Sequence, residues 1–307
     1  VSHTGSTYWG NCYTLSTACL GLFFDPAYEG DGLKVQEVLR RGPFDVRNTK
    51  VKAGDIIEAI DGEKIEAGKD YNAMLDGKVG RPVRVMLKGG REVVVKPISS
   101  GEQSKLLYRR WVDRNKAMVD KWSNGQIAYV HVKAMDSESF RTVFSELLSD
   151  SNRQKKAVIV DERHNGGGWL HDDLCTLLSG RQYQSFVPRG QFIGWDPWNK
   201  WVKPSCVLVC EDDYSNGHGF PYVYQKLGIG PVIGAPVAGT MTAVWWETML
   251  DGQTVFGIPQ VGCLGMDGKY GENQTLIPDI TVYNTPEQQL SGDDQQLRRA
   301  VEEMLKK

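Results

Sequence analysis

The stretch that decides how this chain folds is Val207-Leu208-Val209-Cys210-Glu211-Asp212-Asp213-Tyr214-Ser215-Asn216-Gly217. Its apolar start predicts a buried parallel strand, and the segment from Phe220 to Leu227 predicts a helix after the turn. A serine on a tight strand-to-helix turn projects its hydroxyl at the carboxyl edge of a sheet, where the next backbone N–H groups face the same space. That arrangement suits attack on a carbonyl carbon and stabilisation of the resulting oxyanion, so we expect a nucleophile at Ser215.

The alternative for Ser215 is a purely structural role as a helix cap. The residues that follow leave both interpretations open, because Gly217 and Gly219 are poor helix formers and Pro221 cannot lie deep inside a helix. We therefore expect the helix to begin near Gly219, with Pro221 in its first turn.

A second turn belongs with the first. Val158-Ile159-Val160-Asp161 predicts another short buried strand, which runs into Glu162-Arg163-His164-Asn165-Gly166-Gly167-Gly168. Three glycines after a strand leave backbone amides bare, so that a ligand can approach them closely. We expect Asp161 and Glu162 to pair with Arg163 or to cap backbone groups.

The composition argues against several classes of protein. The chain has 307 residues, and its 36 basic and 38 acidic side chains give a net charge of −2, which is no electrostatic footprint for nucleic acid. No apolar run approaches the roughly 18 residues that a membrane-spanning helix needs. None of the cysteines stands in a CxxC pair, so we expect buried free thiols rather than a zinc site. Because the chain begins with Val1, we expect a processed form or part of a longer protein.

The order of predicted elements divides the chain into four segments. Residues 1–16 are polar and look like the remnant of a preceding subdomain, whereas residues 17–100 hold short strands and turns. Residues 101–123 have a helical period and predict a linker helix. From residue 124 to residue 307, strands alternate with helices, which predicts a mostly parallel sheet with helices outside it. The expected fold class is mixed α/β, with a small β-rich domain before an α/β core.

Three local expectations complete this organisation. Ser137 is expected to be the N-cap of an amphipathic helix that runs to Leu148. Residues 181–204 are rich in Gly, Pro and Trp and predict a long loop. The segment from Glu287 to Lys307 predicts one polar helix.

The segment 17–100 resembles a PDZ domain. The resemblance is carried chiefly by the string Ala53-Gly54-Asp55-Ile56-Ile57-Glu58-Ala59-Ile60-Asp61-Gly62. It implies a carboxylate-binding loop at Leu20-Gly21-Leu22, whose free amides would receive the C terminus of a peptide that adds a strand to the sheet edge. The alternative is a PDZ fold kept as a structural spacer or lid.

A serine nucleophile needs a base, and composition and spacing do not choose among the five histidines. His131 lies inside a predicted strand, and His171 opens a predicted helix. His164 precedes the glycine turn, and His218 stands three residues after Ser215. His3 is remote in sequence.

From about residue 124 onward the chain resembles the core domain of tricorn-type proteases, which are relatives of the C-terminal processing peptidases and share their crotonase-like fold. The motifs that carry the resemblance are Gly125-Gln126-Ile127-Ala128-Tyr129-Val130-His131-Val132, the Val160 to Gly168 turn, Glu211 to Gly217, Gly234-Ala235-Pro236, and Glu272-Asn273 with Ile277-Pro278-Asp279-Ile280. Together with the PDZ segment they cover nearly the whole chain.

The resemblance implies a Ser-His-Ser-Glu tetrad. Ser215 would attack the scissile carbonyl, and His3 would take the proton and later protonate the leaving amine. Ser2 and Glu272 would orient the imidazole and stabilise its charged form. Lys226 is the next lysine after Ser215 but belongs to the predicted helix, which favours this tetrad over a Ser-Lys dyad.

The same resemblance implies an oxyanion hole formed by the backbone N–H groups of Asn216 and Gly167, with Gly166 as the less favoured donor. We therefore expect a serine protease that acts on peptides or unfolded proteins, without a cofactor, and with the PDZ module in substrate recognition or gating. The alternatives are a catalytically silent peptide-binding protein of the same fold and an acyl-CoA enzyme of the crotonase type. Upstream domains such as β-propellers are expected outside this chain, and homo-oligomerisation stays open. A periplasmic or secreted setting is the first expectation, with the cytoplasm as the alternative.

Overall fold

The computed structural model of the chain describes residues 2–10 and 16–307. The strands are β1 Gly5–Tyr8, β2 Leu22–Phe24, β3 Leu33–Val38, β4 Ile56–Ile60, β5 Glu63–Lys64, β6 Val83–Leu87, β7 Arg91–Val95, β8 Ile127–His131, β9 Ala157–Asp161, β10 Gln184–Phe186, β11 Gly194–Asp196, β12 Ser205–Val209, β13 Val232–Gly234, β14 Thr242–Thr248, β15 Thr254–Gly262 and β16 Ile280–Thr281. The α-helices are α1 Ser100–Trp122, α2 Ser137–Leu147, α3 Asp150–Arg153, α4 His171–Leu178, α5 Asn216–Lys226, α6 Pro286–Ser291 and α7 Gln295–Leu305. None of the helices in these two ranges is long and apolar enough to cross a membrane. The described residues separate into two compact units, residues 16–114 and residues 2–10 with 115–307.

The unit of residues 16–114 is built on an antiparallel sheet with the strand order β2-β3-β4-β6-β7 and with β5 beside β4. Strand β6 shows the alternation that such a sheet requires, since Val83, Val85 and Leu87 are buried and Arg84 between them is exposed. The turn Asp61-Gly62 has φ angles of 50° and 88°, as a two-residue type I′ hairpin needs. The predicted β-rich domain is therefore confirmed.

The other unit is built on a parallel sheet with the order β16-β13-β12-β9-β8. Strands β8, β9 and β12 are buried along their whole length, and they consist mainly of Val, Ile, Leu and Ala. Such runs suit a parallel sheet that is covered on both faces by the helices of its crossover connections. The predicted α/β core with a mostly parallel sheet is confirmed.

A separate antiparallel sheet, with the order β1-β15-β14, was not expected from the sequence. In it the N-terminal strand β1 pairs with β15, in a register that runs from Gly5 opposite Gly257 to Tyr8 opposite Thr254. This pairing fixes the segment that follows His3 to the unit that carries Ser215. The expected long loop 181–204 is also partly wrong, because β10 and β11 form an antiparallel hairpin within it.

Three expectations about helices are corrected by the structure. The N-cap of α2 is Asp136 and not Ser137, because the Asp136 carboxylate accepts a hydrogen bond from the N–H of Ser139 at 2.7 Å. Helix α5 begins at Asn216 and not near Gly219. The expected C-terminal helix is interrupted at Gly292, whose φ of 75° ends α6 before α7 begins.

A buried ion pair lies at the carboxyl end of β9. Arg163 donates to Asp161 from Nε at 2.9 Å and from Nη2 at 2.7 Å, and its Nη1 reaches Asp294 at 2.8 Å. Tyr129 adds a hydrogen bond to Asp161 at 2.8 Å. Burial alone would raise the pKa of Asp161, but the charge and hydrogen bonds of Arg163 outweigh it, and the pKa is lowered. The expected pairing is confirmed for Asp161. It is wrong for Glu162, whose buried carboxylate oxygens have no hydrogen-bond partner among the described residues.

We predict that Arg163→Ala lowers the free energy of unfolding by about 3–5 kcal/mol, because it leaves the Asp161 carboxylate buried and without its counter-ion. Urea titration followed by tryptophan fluorescence measures this change. Lys306→Ala is the control, since it removes an exposed ion pair with Glu303 and should cost less than about 1 kcal/mol. Equal effects of the two substitutions would contradict the assigned role of Arg163.

Candidate active site

Ser215 occupies a strained turn between β12 and α5. Its φ of 56° and ψ of −118° are unusual for a residue that has a side chain, and such strain persists only where the surroundings hold it. The N–H of Ser215 donates to Oγ1 of Thr240 at 2.8 Å, and the N–H of Tyr214 donates to the carbonyl of Asn165 at 2.9 Å. The Ser215 hydroxyl stands at the N-cap position of α5 but caps no helix N–H. This geometry does not support the alternative of a purely capping serine.

The glycine turn after β9 lies directly against Ser215. A Cβ atom at position 167 would lie 2.6 Å from Cβ of Ser215 and 2.9 Å from the carbonyl oxygen of Tyr214. Gly167 also has a φ of 96°, which a residue with a side chain rarely adopts. On the other side of the contact, a Cβ atom at Gly217 would lie 2.7 Å from the carbonyl oxygen of Asn165. The predicted meeting of the two turns therefore depends on glycine in both.

Three asparagine and aspartate side chains hold the two turns together, and the sequence had not singled out these roles. Asn165 accepts from the N–H of Gly167 at 2.8 Å and donates to the carbonyl of Val132 at 2.9 Å. The Asn216 side chain accepts from the N–H groups that begin helix α4, including that of His171 at 3.1 Å. The Asp213 carboxylate accepts from the N–H of Asn165 at 3.1 Å. The hydrogen bond between Asn165 and Gly167 lies inside the glycine turn. The others join residues that are more than 30 positions apart in the sequence.

The bare amides expected near Ser215 are present, with one difference from the sequence prediction. The N–H of Gly167 is already bonded to Asn165, which counts against Gly167 as an oxyanion donor. The N–H groups of Asn216, Gly166 and Gly168 donate to no acceptor within residues 2–10 and 16–307. The carbonyl of Gly167 accepts from Met135 at 2.9 Å. The carbonyl of Gly167 and the N–H of Gly168 belong to one trans peptide unit and point in opposite directions, so this N–H points away from Met135.

A line of hydrogen bonds connects Glu272 to the imidazole of His3. Oγ of Ser2 lies 2.8 Å from Oε2 of Glu272 and 2.8 Å from Nδ1 of His3. Because the single O–H of Ser2 donates to the carboxylate, the His3 Nδ1 must carry the proton that bonds to Ser2. The network therefore assigns the neutral tautomer in which Nε2 of His3 has a free lone pair.

The His3 ring lies beside the nucleophile turn. Its centroid is 4.6 Å from that of Tyr214, the neighbour of Ser215, and the backbone N–H of His3 donates to the Tyr214 hydroxyl at 2.8 Å. The described residues include no hydrogen bond between His3 and Oγ of Ser215. Hydrogen bonds of this kind are often loose before substrate binds and tighten in the complex.

The electrostatics at this line follow from burial and hydrogen bonding. Burial lowers the pKa of His3, and the charge of Glu272 opposes that effect. Burial alone would raise the pKa of Glu272, but hydrogen bonds from Ser2 and from the Thr242 hydroxyl, at 2.8 Å, outweigh it and lower the pKa. Thr242 was not expected from the sequence. Glu272 is thus an ionised acceptor beside a neutral imidazole.

The other four histidines lie in different surroundings. His131 is bonded to the backbone of Arg163, and His171 lies 2.9 Å from the side-chain amide of Asn216. His164 contacts Asp212 at 3.0 Å. His218 is buried one turn into α5. Of the histidines, only His3 lies in a Ser–Glu hydrogen-bonded line among the described residues.

Among the described residues, one cluster has donor atoms close enough together to hold a metal ion. The donor atoms of His164, Cys210 and Asp212 lie within 4.8 Å of one another. They already satisfy each other, because the Cys210 thiol donates to Asp212 at 2.8 Å and burial raises the pKa of that thiol. The cluster is a hydrogen-bonded group that needs no ion to hold it. Cys175, Cys206 and Cys210 are buried free thiols, as expected, whereas the free thiols of Cys19 and Cys263 are only half-buried. Cys12 lies outside the described residues.

Comparison with known proteins shows which proteins the chain is similar to. The chain is 28% identical over 257 residues to the tricorn protease of Thermoplasma acidophilum, an alignment that covers 82% of this chain and 24% of that protein. It is 29% identical over 269 residues to tricorn protease homolog 1 of Streptomyces coelicolor, covering 85% of this chain and 25% of the relative. The chain thus spans about a quarter of the length of these relatives.

The fold itself is that of a solved structure. The crystal structure of the tricorn protease superposes on 99% of this chain with a TM-score of 0.86 and 24% identity, and the match covers 31% of that chain. The tricorn protease PDZ domain model matches residues 26–100. The model of peptidase family S41 matches residues 126–282, which include the glycine turn, Ser215 and Glu272. The chain therefore belongs to peptidase family S41 and carries a tricorn-type PDZ domain in front of its peptidase core.

Proposed function

We propose that this chain is the peptidase part of a serine protease and that Ser215 is its nucleophile. The observation that carries the proposal is the hydrogen-bonded line Glu272–Ser2–His3, which ends beside the strained turn of Ser215. A nucleophile, a base in the correct tautomer and an orienting carboxylate are the parts that acyl transfer through a serine requires.

The reaction follows from these parts. His3 accepts the Ser215 proton at Nε2 as Oγ attacks the carbonyl carbon of the peptide. The imidazolium that forms is stabilised through Ser2 by the ionised Glu272 and then protonates the leaving amine. A water molecule, deprotonated by the same nitrogen, hydrolyses the acyl-enzyme. Thr242 keeps the carboxylate in position and is a positioning residue.

The oxyanion needs donors that are free before the reaction begins. The N–H of Asn216 meets this requirement, since it has no acceptor among the described residues and begins the helix that follows Ser215. For the second donor we favour Gly168 over Gly167, because the Gly167 N–H is bonded to Asn165. Gly166 stays the alternative. Loss of one such donor typically lowers turnover about 100-fold to 1,000-fold.

The PDZ unit offers a second peptide site. Strand β2 is an edge strand, because only β3 pairs with it in the sheet that the structure describes. The N–H groups of Leu20 and Gly21, just before β2, donate to no acceptor in residues 2–10 and 16–307. A peptide that adds a strand to β2 would bring its C-terminal carboxylate to these amides, with Leu22 beginning the paired edge. We infer that the unit holds the C-terminal end of a peptide or unfolded chain.

We predict that Ser215→Ala lowers peptide cleavage by roughly 10⁴-fold to 10⁶-fold, because it removes the only atom that can form the acyl-enzyme. It should also abolish labelling by a fluorophosphonate probe. Ser291→Ala, at an exposed helix end, is the matched control and should behave as the unchanged protein does. Cleavage retained by Ser215→Ala would overturn the proposed nucleophile.

We predict that kcat/KM falls as the pH drops through the pKa of His3, with an apparent pKa below the ordinary value of 6.5. Burial favours the neutral imidazole, so the base stays competent at pH 7 and is lost only in more acid solution. In Glu272→Gln the acid limb should move to still lower pH, because the charge that raises the His3 pKa is gone. NMR titration of the His3 Cε1 proton gives the same pKa without turnover. An acid limb that moves to higher pH in Glu272→Gln would contradict this arrangement.

We predict that a short apolar peptide with a free C-terminal carboxylate binds at least about tenfold more tightly than the same peptide with a C-terminal amide. The difference reflects charge-assisted hydrogen bonds to the amides of the loop before β2. Fluorescence anisotropy of a labelled peptide, measured with Ser215→Ala to prevent cleavage, provides the comparison. Equal affinities would favour the alternative of a structural PDZ fold.

A further inference from the structure

The PDZ unit contains a basic pocket of about 260 Å³ between helix α1 and the turn that follows β3. Five of its lining residues carry a guanidinium group, namely Arg40, Arg41, Arg109, Arg110 and Arg114. All five are exposed, so a ligand in solution can reach them. We call this site the arginine pocket.

The positive charges of the arginine pocket are not balanced by the residues around it. Arg110 forms an ion pair with Glu37, and the described lining includes one acidic residue, Asp113. The other four arginines form no ion pair with a described residue. Like charges held close together repel one another, so a bound anion stabilises the pocket. Since the whole chain has a net charge of −2, this positive charge is a local feature.

The arginine pocket lies beside strand β2, the edge to which a peptide could add. The guanidinium carbon of Arg110 is 5.5 Å from the ring centroid of Phe23, the middle residue of β2. Glu37, which pairs with Arg110, is directly opposite Phe23 in the neighbouring strand β3. Arg110 therefore covers the face of the sheet onto which the Phe23 side chain projects.

Arg40 and Arg41 connect the arginine pocket to the loop before β2. The N–H of Leu39 donates to the carbonyl of Gly21 at 2.9 Å. Pro43 also packs against this loop, since a Cβ atom at Gly21 would lie 2.8 Å from its Cδ. The turn that carries the two arginines thus contacts the loop to which we assign the C-terminal carboxylate of a peptide.

The side chains of β2 project onto two different faces. Leu22 belongs to the hydrophobic core of the unit and Phe24 packs against that core, whereas Phe23 lies outside it. A peptide strand whose carboxylate meets the loop amides has its terminal residue opposite Leu22 and its penultimate residue opposite Phe23. Opposite residues of a sheet project onto the same face. The penultimate side chain of the peptide therefore faces Arg110.

We propose that the arginine pocket is a subsite of the PDZ unit that binds the carboxylate of a glutamate at the penultimate position of a peptide. The proposal rests on the PDZ function proposed above, because it specifies which peptide C termini that function selects. Guanidinium groups bind carboxylates through paired, charge-assisted hydrogen bonds. Glutamate suits the site better than aspartate, because its longer side chain extends further from the peptide backbone towards α1.

The expected selectivity is moderate because the arginines are exposed. A single exposed ion pair contributes little, so we expect a preference of about threefold to tenfold for glutamate over glutamine. Lysine should bind about tenfold or more weakly than glutamate, because it adds another positive charge to the pocket. Salt should reduce both preferences, since exposed charges are screened.

The first experiment moves the acid along the peptide. Fluorescence anisotropy with Ser215→Ala gives the affinities of labelled apolar peptides that end in leucine and carry glutamate, glutamine or lysine at the penultimate position. A glutamate at the antepenultimate position should give no gain over glutamine there, because that side chain faces the core. Equal gains from glutamate at the two positions, or no gain at either, overturn the proposed subsite.

The second experiment removes charge from the pocket. The double variant Arg109→Gln/Arg110→Gln should bring the ratio of glutamate to glutamine affinity close to one. Arg141→Gln/Lys156→Gln is the matched control, since it removes two exposed positive charges from the other unit and should keep the ratio. A ratio that persists in the pocket variant, or that falls equally in both variants, overturns the proposal.

A third variant changes the affinity in the opposite direction, which covers the case in which loss of Arg110 disturbs the packing on Phe23. Glu37→Gln removes the carboxylate that competes for Arg110. The peptide with a penultimate glutamate should then bind about twofold or more tightly, while the glutamine peptide is unaffected. Unchanged or weaker binding of the glutamate peptide overturns the assigned role of Arg110.

Peptides with a C-terminal amide separate this proposal from the proposed PDZ function. Tighter binding of the free acid than of the amide, with no preference for glutamate, overturns the arginine pocket and leaves the proposed carboxylate loop intact. A preference for glutamate that is the same in acid and amide peptides has the opposite meaning, because the pocket then binds without the loop. Neither result depends on catalysis, since Ser215 is absent from the protein used.

Discussion

The structure of the site depends on one close approach, that of the Gly167 backbone to Ser215. The space between the two turns excludes even a methyl group, because a Cβ atom at position 167 would come within 2.6 Å of the serine Cβ. Strands β9 and β12 are parallel neighbours, so their carboxyl ends meet at one edge of the sheet. Asp213 then ties both ends together, accepting from the N–H of Cys210 at 2.8 Å and from that of Asn165 at 3.1 Å. The strained φ of Ser215 persists because the turns on both sides hold it.

The histidine that we propose as the base, His3, reaches this edge from the other end of the sequence. Residues that are far apart in sequence, Ser2 and Glu272, are directly hydrogen-bonded, and the pairing of β1 with β15 fixes the direction of the segment between them. Thr242, the first residue of β14, bonds to the same carboxylate. The antiparallel sheet β1-β15-β14 therefore holds the His3 imidazole beside the turn of Ser215, which is the nucleophile of the reaction that we propose.

The sequence was informative where the signal is local. Runs of Val, Ile and Leu predicted β9 and β12, and the turn residues around Ser215 and Gly167 predicted that the two turns lie together. Choice of His3 among five histidines came only from resemblance, because no local pattern links residue 3 to residue 272. Thr240 and Thr242 were missed for the same reason, since an isolated threonine has no periodicity. Helix α5 began earlier than expected because its glycines are required by close packing, of Gly217 on Asn165 and of Gly219 on Met241, and tertiary contact overrides their low helix propensity.

The buried acidic residues at the carboxyl edge of the sheet have different pKa values because they have different partners. Asp161 is buried with Arg163 and stays ionised. Glu162, the next residue, is buried without a hydrogen-bond partner among the described residues, and its pKa is raised well above the ordinary value. Burial likewise raises the pKa of Asp213 to about 8, although its oxygens accept two backbone N–H groups. Burial therefore raises the pKa of Glu162 and Asp213, whereas the counter-ion of Asp161 lowers its pKa. Glu272 differs from Glu162 and Asp213, because hydrogen bonds from Ser2 and Thr242 lower its pKa. In the mechanism that we propose, its charge acts on His3 through Ser2 and stabilises the imidazolium that forms.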